Sequence, residues 1–243
     1  MCYDARGLDG SSVAYPAEKS MQRNTDKPTM TVTMVAPAEQ RVVLRNVSWQ
    51  TYERLLADLG DCSSPRLTYD RGTLEIMSPS EDHEEANRAL SSLLDVIIEE
   101  LDIDARTLGS TTFRREDLDR GFEPDSCFYI QSVARVKEKR KIDLTKDPPP
   151  DLVIEIDISS SSLDKLAISA RLGVPEIWRY DGESLTIHRL SAPGYTTSQS
   201  SLAFPFLSAA QLTEFLLEAG SQKRSRWLRS VRDWLRANLV RGT

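Results

Sequence analysis

Acidic residues stand in this sequence where strands ought to be wholly apolar. In the run Leu152-Val153-Ile154-Glu155-Ile156-Asp157-Ile158, Glu155 and Asp157 lie two apart, so an extended chain puts both on one face. A further acid, Asp125, follows Pro124 at the start of another β-prone segment. A carboxylate inside so apolar a run costs on the order of several kcal/mol unless something compensates it. Two on one face also repel each other. A bound divalent cation removes both penalties, and oxygen ligands suit magnesium or manganese. The same acids could face solvent at a sheet edge or pair with Arg or Lys, and spacing alone leaves both readings open.

The elements that must position these acids are legible from periodicity. Residues 42–47 suit a short strand, and Ser48 is placed to cap a helix running to Leu59. Residues 66–69 and 73–77 are β-prone and flank Asp70-Arg71-Gly72, which predicts a hairpin. From 82 to 101 the apolar positions Ala86, Leu90, Leu93, Leu94, Ile97 and Leu101 recur with helical spacing. Strands are then expected at 106–114 and 127–130, and a charged connection over 133–146 leads to Pro148-Pro149-Pro150. Residues 152–158, apolar on both faces, predict a central strand of a covered sheet. A helix over 163–172 ended by Gly173, strands at 176–180 and 184–190, and a short helix over 211–217 complete the body. Helix, three strands, helix and two strands in this order predict an α/β domain: a mixed β-sheet flanked by helices.

Composition narrows the function classes. Nothing approaches about 18 uninterrupted apolar residues, so no membrane helix is expected. The N-terminus lacks the basic-then-apolar order of a secretory signal, which points to the cytoplasm. Cys2, Cys62 and Cys127 have no CxxC spacing, against both a disulfide framework and a zinc ribbon, and His83 and His188 are too few for an imidazole-rich site. Residues 1–40 lack periodicity and are expected to be a disordered extension, with the domain over 41–218 and a basic amphipathic helix over 219–243. The net charge of −6 is unevenly spread. From Lys223 onward seven Lys and Arg face one acid, Asp233, so that tail carries +6 and the remainder −12.

Several ordered motifs together resemble the Uma2 family. They are Leu74-Glu75-Ile76-Met77-Ser78-Pro79-Ser80 with His83 opening a helix, then Glu123-Pro124-Asp125 and Pro150-Asp151-Leu152-Val153-Ile154-Glu155. Lys165 and the run Leu172-Gly173-Val174-Pro175-Glu176-Ile177-Trp178 complete the pattern. The resemblance covers about residues 45–205 and implies a restriction-endonuclease-like PD-(D/E)XK core. It implies that Asp125 is the first metal-binding acid and Glu155 the acid of (D/E)XK, with the backbone carbonyl of Ile156 as a third ligand for Mg²⁺ or Mn²⁺. Asp157 stands where the superfamily usually has Lys, so the resemblance turns to Lys165 for the missing cation. Glu75 and His83 flank the entry to the first core helix, where related nucleases place another site residue, whereas a plain reading makes His83 a solvent-exposed first-turn residue. Glu85 reads as a helix-surface acid. Asp151, four residues before Glu155, suits a turn or cap and is the rival to Asp125 as first acid.

The implied function is metal-dependent hydrolysis of phosphodiester bonds, in DNA, with Asp125, Glu155, Asp157, Lys165 and His83 as the catalytic candidates. The alternative is a non-catalytic nucleic-acid-binding or assembly protein that keeps the fold around a decayed site; Asp157 and the net acidity favour it. Trp227, Leu228, Val231, Trp234, Leu235 and Leu239 recur at helical spacing among arginines. They predict a helix that docks on the domain or on a second subunit, as in a homodimer, with nucleic-acid contact as the next reading.

Overall fold

The computed structural model describes residues 39–60, 64–159, 161 and 163–239. Nearly all of the expected extension over 1–40 lies outside them; Glu39 and Gln40, placed in it, belong to the fold. Strand β1 (Gln40–Arg45) leads to helix α1 (Trp49–Leu59), which Ser48 caps by accepting the Thr51 N–H at 3.2 Å. Trp49 and Tyr52 sit on one face of α1 and bury against Tyr69, whose ring stacks on that of Tyr52 at 4.9 Å. Strands β2 (Arg66–Asp70) and β3 (Thr73–Ser78) form the expected hairpin. Its turn residues Arg71 and Gly72 both have positive φ, 45° and 85°, as a two-residue turn between right-twisted strands requires.

Helix α2 (Glu81–Glu100) starts at Ser80, whose hydroxyl accepts the His83 N–H at 3.2 Å, and its first turn carries Glu81, Asp82 and Glu84. The single strand expected over 106–114 is instead broken at Gly109-Ser110. Strands β4 (Arg106–Leu108) and β5 (Phe113–Arg115) go to different sheets. Strand β6 (Arg120–Phe122), too short to carry a pattern of its own, returns beside β5. Strand β7 (Ser126–Tyr129), helix α3 (Val133–Val136) and strand β8 (Leu152–Ile156) follow. Strand β8 is buried throughout and stops before Asp157, two residues short of the apolar run.

Helix α4 (Lys165–Leu172) is capped by Asp164 and ends at Gly173, which takes φ 81°, the left-handed C-cap the sequence predicts. Strands β9 (Glu176–Tyr180), β10 (Leu185–Ser191) and β11 (Gly194–Ser198) complete the sheets, and β11 was not anticipated. Helix α5 (Ala209–Ser221) exceeds the expected 211–217 because Ser208 caps it, and helix α6 (Arg224–Leu239) follows.

One sheet has the antiparallel order β1-β3-β2-β6-β5, and the other the order β11-β10-β9-β8-β7-β4 with β8 and β9 parallel. The expectation of one mixed sheet flanked by helices describes the second; the first adds a layer beside it. Leu152, Ile154 and Ile156 turn to one face of the second sheet, under Leu90, Leu94 and Ile97 of α2. Val153 and Cys127 turn to the other, under Ile168 and Leu172 of α4.

Helix α6 docks on the domain. Trp227, Val231 and Leu235 enter the main core, and the Trp227 Nε1–H donates to the Phe215 carbonyl at 2.8 Å. Arg232 and Arg236 reach Glu99 and Glu100 at the C-terminus of α2, where the helix dipole disfavours acids. Replacing Trp227 by Ala should cost about 3–5 kcal/mol, read from the urea unfolding midpoint. A loss below about 1 kcal/mol would mean that α6 adds little to the core.

Candidate active site

The register of β7 against β8 builds the site. Ser126 faces Ile154 and Cys127 faces Val153, so one further step sets Asp125 opposite Glu155. Side-chain alternation then sends both carboxylates to the face that Cys127 and Val153 share, toward α4. Both are buried, at 1% and 4% exposure. The Ile156 N–H, just past the last β7–β8 pair, donates to Asp125 Oδ2 at 2.6 Å. Arg66 Nη1 donates to Asp125 Oδ1, and His83 Nε2 sits between the two, 2.9 Å from Asp125 Oδ1 and 2.7 Å from Arg66 Nη1. Lys165 opens α4, and its Nζ donates to Glu155 Oε2 at 2.7 Å. The remaining oxygen, Glu155 Oε1, is buried without a hydrogen-bond partner.

A wider layer of charge holds these groups. Arg66 Nη2 donates to Glu84 Oε1 at 2.7 Å. His83, wholly buried, hydrogen-bonds Glu39 through Nδ1. Arg41 of β1 reaches Glu39 at 2.7 Å, Glu75 of β3 at 2.8 Å and the Ser159 hydroxyl at 3.2 Å. The Ser161 hydroxyl donates to the same Glu75 oxygen at 3.0 Å. The Asn87 side chain donates to the Asp125 carbonyl and accepts from the Ser126 hydroxyl, which fixes the start of β7 against α2.

The paired acids titrate in opposite directions. Burial works to raise Asp125, but the His83 hydrogen bond and the Lys165 and Arg66 charges outweigh it and hold the carboxyl below its usual range. Burial pushes Glu155 up to about 7; Lys165 offsets part of that shift and the Asp125 charge adds to it. Burial alone would lower Lys165, yet Glu155 and Asp125 keep its ammonium above the usual range. For His83 burial and the Arg66 charge oppose the imidazolium, but the hydrogen bonds to Asp125 and Glu39 and the Asp125 charge raise it to about 9.

The raised His83 value carries a stability prediction. Its contribution is fully present below the unfolded value of about 6.5 and is lost as pH rises through about 9. Wild-type stability should therefore fall across that window by on the order of 3 kcal/mol more than in His83→Gln. Urea unfolding at a series of pH values checks this, and parallel curves for the two proteins would refute it.

The candidate residues fall into distinct places. Asp125 and Glu155 stand opposite each other in the strand register; Lys165 bonds Glu155, and the Ile156 N–H and His83 bond Asp125. The solvent-exposed reading of His83 is corrected: burial between Asp125 and Glu39 leaves its ring no water. Glu75 lies in the surrounding layer and Glu85 is exposed. Asp157 lies beyond the end of β8 in an ion pair with Arg179 of β9, and hydrogen-bonds neither Asp125 nor Glu155. Asp151, the rival first acid, accepts the N–H groups of Ile130 and Ser132 at 2.7 and 2.9 Å, which makes it the cap of the turn into α3. Sequence reasoning missed Arg66, Arg41, Glu39 and Glu84. The one available signal was Arg66 itself, the only charge in the β-prone run Arg66-Leu67-Thr68-Tyr69.

Among the described residues no group of three or more His, Cys, Asp and Glu side chains is arranged to hold a metal ion. What the site offers is narrower: facing carboxylates, one with an unmatched buried oxygen and a raised affinity for protons. That donor set fits a hard divalent cation completed by main-chain oxygen or water.

A mixed sheet covered by α2 on one face and α4 on the other is an α/β arrangement consistent with a restriction-endonuclease-like core. The chain belongs to the Uma2 family, whose model, described as "putative restriction endonuclease", matches residues 49–220. Among solved structures it is similar to a protein of Anabaena variabilis ATCC 29413 described as a "putative nuclease belonging to DUF820". That likeness has a TM-score of 0.45 and 18% identity, covering 66% of this chain and 96% of the other. No curated protein matches the chain. Among the described residues no helix is long and apolar enough to cross a membrane.

Proposed function

We propose that the protein is a metal-dependent endonuclease that hydrolyses phosphodiester bonds in DNA. The observation that carries this reading is Asp125 facing Glu155 with one Glu155 oxygen buried and unmatched, while Lys165 holds the other at 2.7 Å. Asp125, Glu155 and the Ile156 carbonyl would hold Mg²⁺ or Mn²⁺. When bound, the cation supplies positive charge against the two carboxylates and makes an adjacent water more acidic.

The chain's own groups do the rest. Lys165 Nζ offers the positive charge that the superfamily's motif lysine would bring, since Asp157 occupies that place and is engaged by Arg179. Arg66 and His83 hold the Asp125 carboxylate in one orientation. Burial keeps bulk water from screening these charges.

Nicking of supercoiled plasmid with Mg²⁺ or Mn²⁺, comparing wild type with Asp125→Ala and Glu155→Ala, tests the reading. Metal-dependent nicking lost in both variants, each shown to be folded by circular dichroism at the assay temperature, supports it. A wild type that neither nicks nor binds metal in calorimetry sinks it. The second reading, a nucleic-acid-binding or assembly protein without catalysis, draws on Asp125 Oδ1 being already shared by Arg66 and His83. It predicts that plasmid binding survives Asp125→Ala.

A further inference from the structure

Strand β1 and Glu39 just before it precede the region that the family model matches, yet this segment delivers two charged side chains to the site. Glu39, at its entry, accepts from His83 Nδ1, from Arg41 Nη2 and from the Ser159 hydroxyl. Arg41 adds bonds to Glu75 of β3 and to the hydroxyl and carbonyl of Ser159, past the end of β8. The pair therefore ties the edge of the first sheet to the exit of the strand that carries Glu155. The Glu39 side chain is 2% exposed.

We infer that Glu39 is a positioning residue of the site, which fixes the His83 ring through Nδ1 so that Nε2 faces Asp125 Oδ1. An imidazole held at one nitrogen only can rotate about its side-chain torsions, and a second acceptor removes that freedom. His83 so held leaves Asp125 one orientation, in which Oδ2 meets the Ile156 N–H. The chain Glu39–His83–Asp125 thus extends the active site to a strand outside the family match. Arg41 keeps the Glu39 carboxylate in place from its other oxygen. This inference rests on the nuclease reading for its effect on rate, but the geometry it asserts stands apart from that reading.

The chain has two histidines, so an imidazole ¹⁵N–¹H correlation spectrum resolves His83 from His188, with His83→Gln giving the assignment. Wild type should show a slowly exchanging Nδ1 proton on His83. Glu39→Ala should lose it, while Glu39→Gln should keep it through its amide oxygen. In plasmid nicking, Glu39→Ala should lower kcat about 10- to 100-fold with little change in KM, and Glu39→Gln should restore most of the rate. Glu85→Ala, an exposed position on the same helix, should match wild type. Glu39→Asp retracts the carboxylate by one methylene while keeping its charge; if Glu39→Ala does not fold, Glu39→Asp should show the same lost proton.

The inference is overturned if the His83 proton survives in Glu39→Ala or, should that variant not fold, in Glu39→Asp. It is also overturned if Glu39→Gln loses as much rate as Glu39→Ala, which would mark a merely structural charge. A wild type that does not nick would refute the nuclease reading, and the His83 proton would still decide whether Glu39 positions the ring.

Discussion

Asp125→Ala is expected to destabilise the protein by about 3–5 kcal/mol, the range for removing one partner of a buried ion pair. The truncation would leave Arg66 and His83 buried without their shared counter-charge, and the Ile156 N–H without an acceptor. Their remaining partners, Glu84 and Glu39, each sit on the far side of the cation and cannot fill the vacated volume. Urea unfolding at neutral pH measures the effect. A loss below about 1 kcal/mol would mean that the cations relax toward solvent, and that the site is looser than its hydrogen bonds suggest.

The acid facing it should behave in the opposite way. Glu155→Gln is expected to abolish nicking, by about a hundredfold or more, while leaving the protein as stable as wild type or more so at pH 8. The folded value of Glu155 lies near 7, above its ordinary 4.5. Its favourable contribution is therefore fully present below about 4.5 and is lost as pH rises through about 7. Above that point the ionised side chain opposes folding, and a neutral amide of the same shape removes the opposition while still accepting from Lys165. The gain at pH 8 is expected to be on the order of 1–3 kcal/mol, shrinking toward pH 5. A Glu155→Gln protein less stable than wild type at pH 8 would show that the Lys165 pairing outweighs burial. The pair separates two roles: Asp125 stabilises the fold, and Glu155 is tolerated by it.

The fold was legible where the pattern was long or the turn chemistry explicit. Helix α2 announced itself through Leu90, Leu94 and Ile97, the hairpin through Arg71-Gly72, and α4 through its terminal Gly173. The break at Gly109-Ser110 was not legible, since residues on both sides are β-prone and only tertiary pairing sends them to different sheets. Asp125 and Glu155 stood out because carboxylates in apolar strands demand an explanation. Asp157 stood out for the same reason and lies outside the strand, because alternation shows which face a residue takes but not where pairing stops. Glu39, Arg41, Arg66 and Glu84 left no spacing to find. They meet across separations such as Arg41 to Ser159, where the chain returns after more than a hundred residues. Such pairs are a property of how two sheets lie together.

The docking of α6 has a consequence for how the molecule is made. Trp227, Val231 and Leu235 cover apolar surface of α2 and α5, all of which is synthesised before them. At about 5–20 residues per second, the ribosome exposes that surface for an interval before its cover exists. During that time the nascent chain presents a bare apolar seam to chaperones and to neighbouring chains. The sheet that sets Asp125 against Glu155 has its full support only once α6 has emerged and closed the seam.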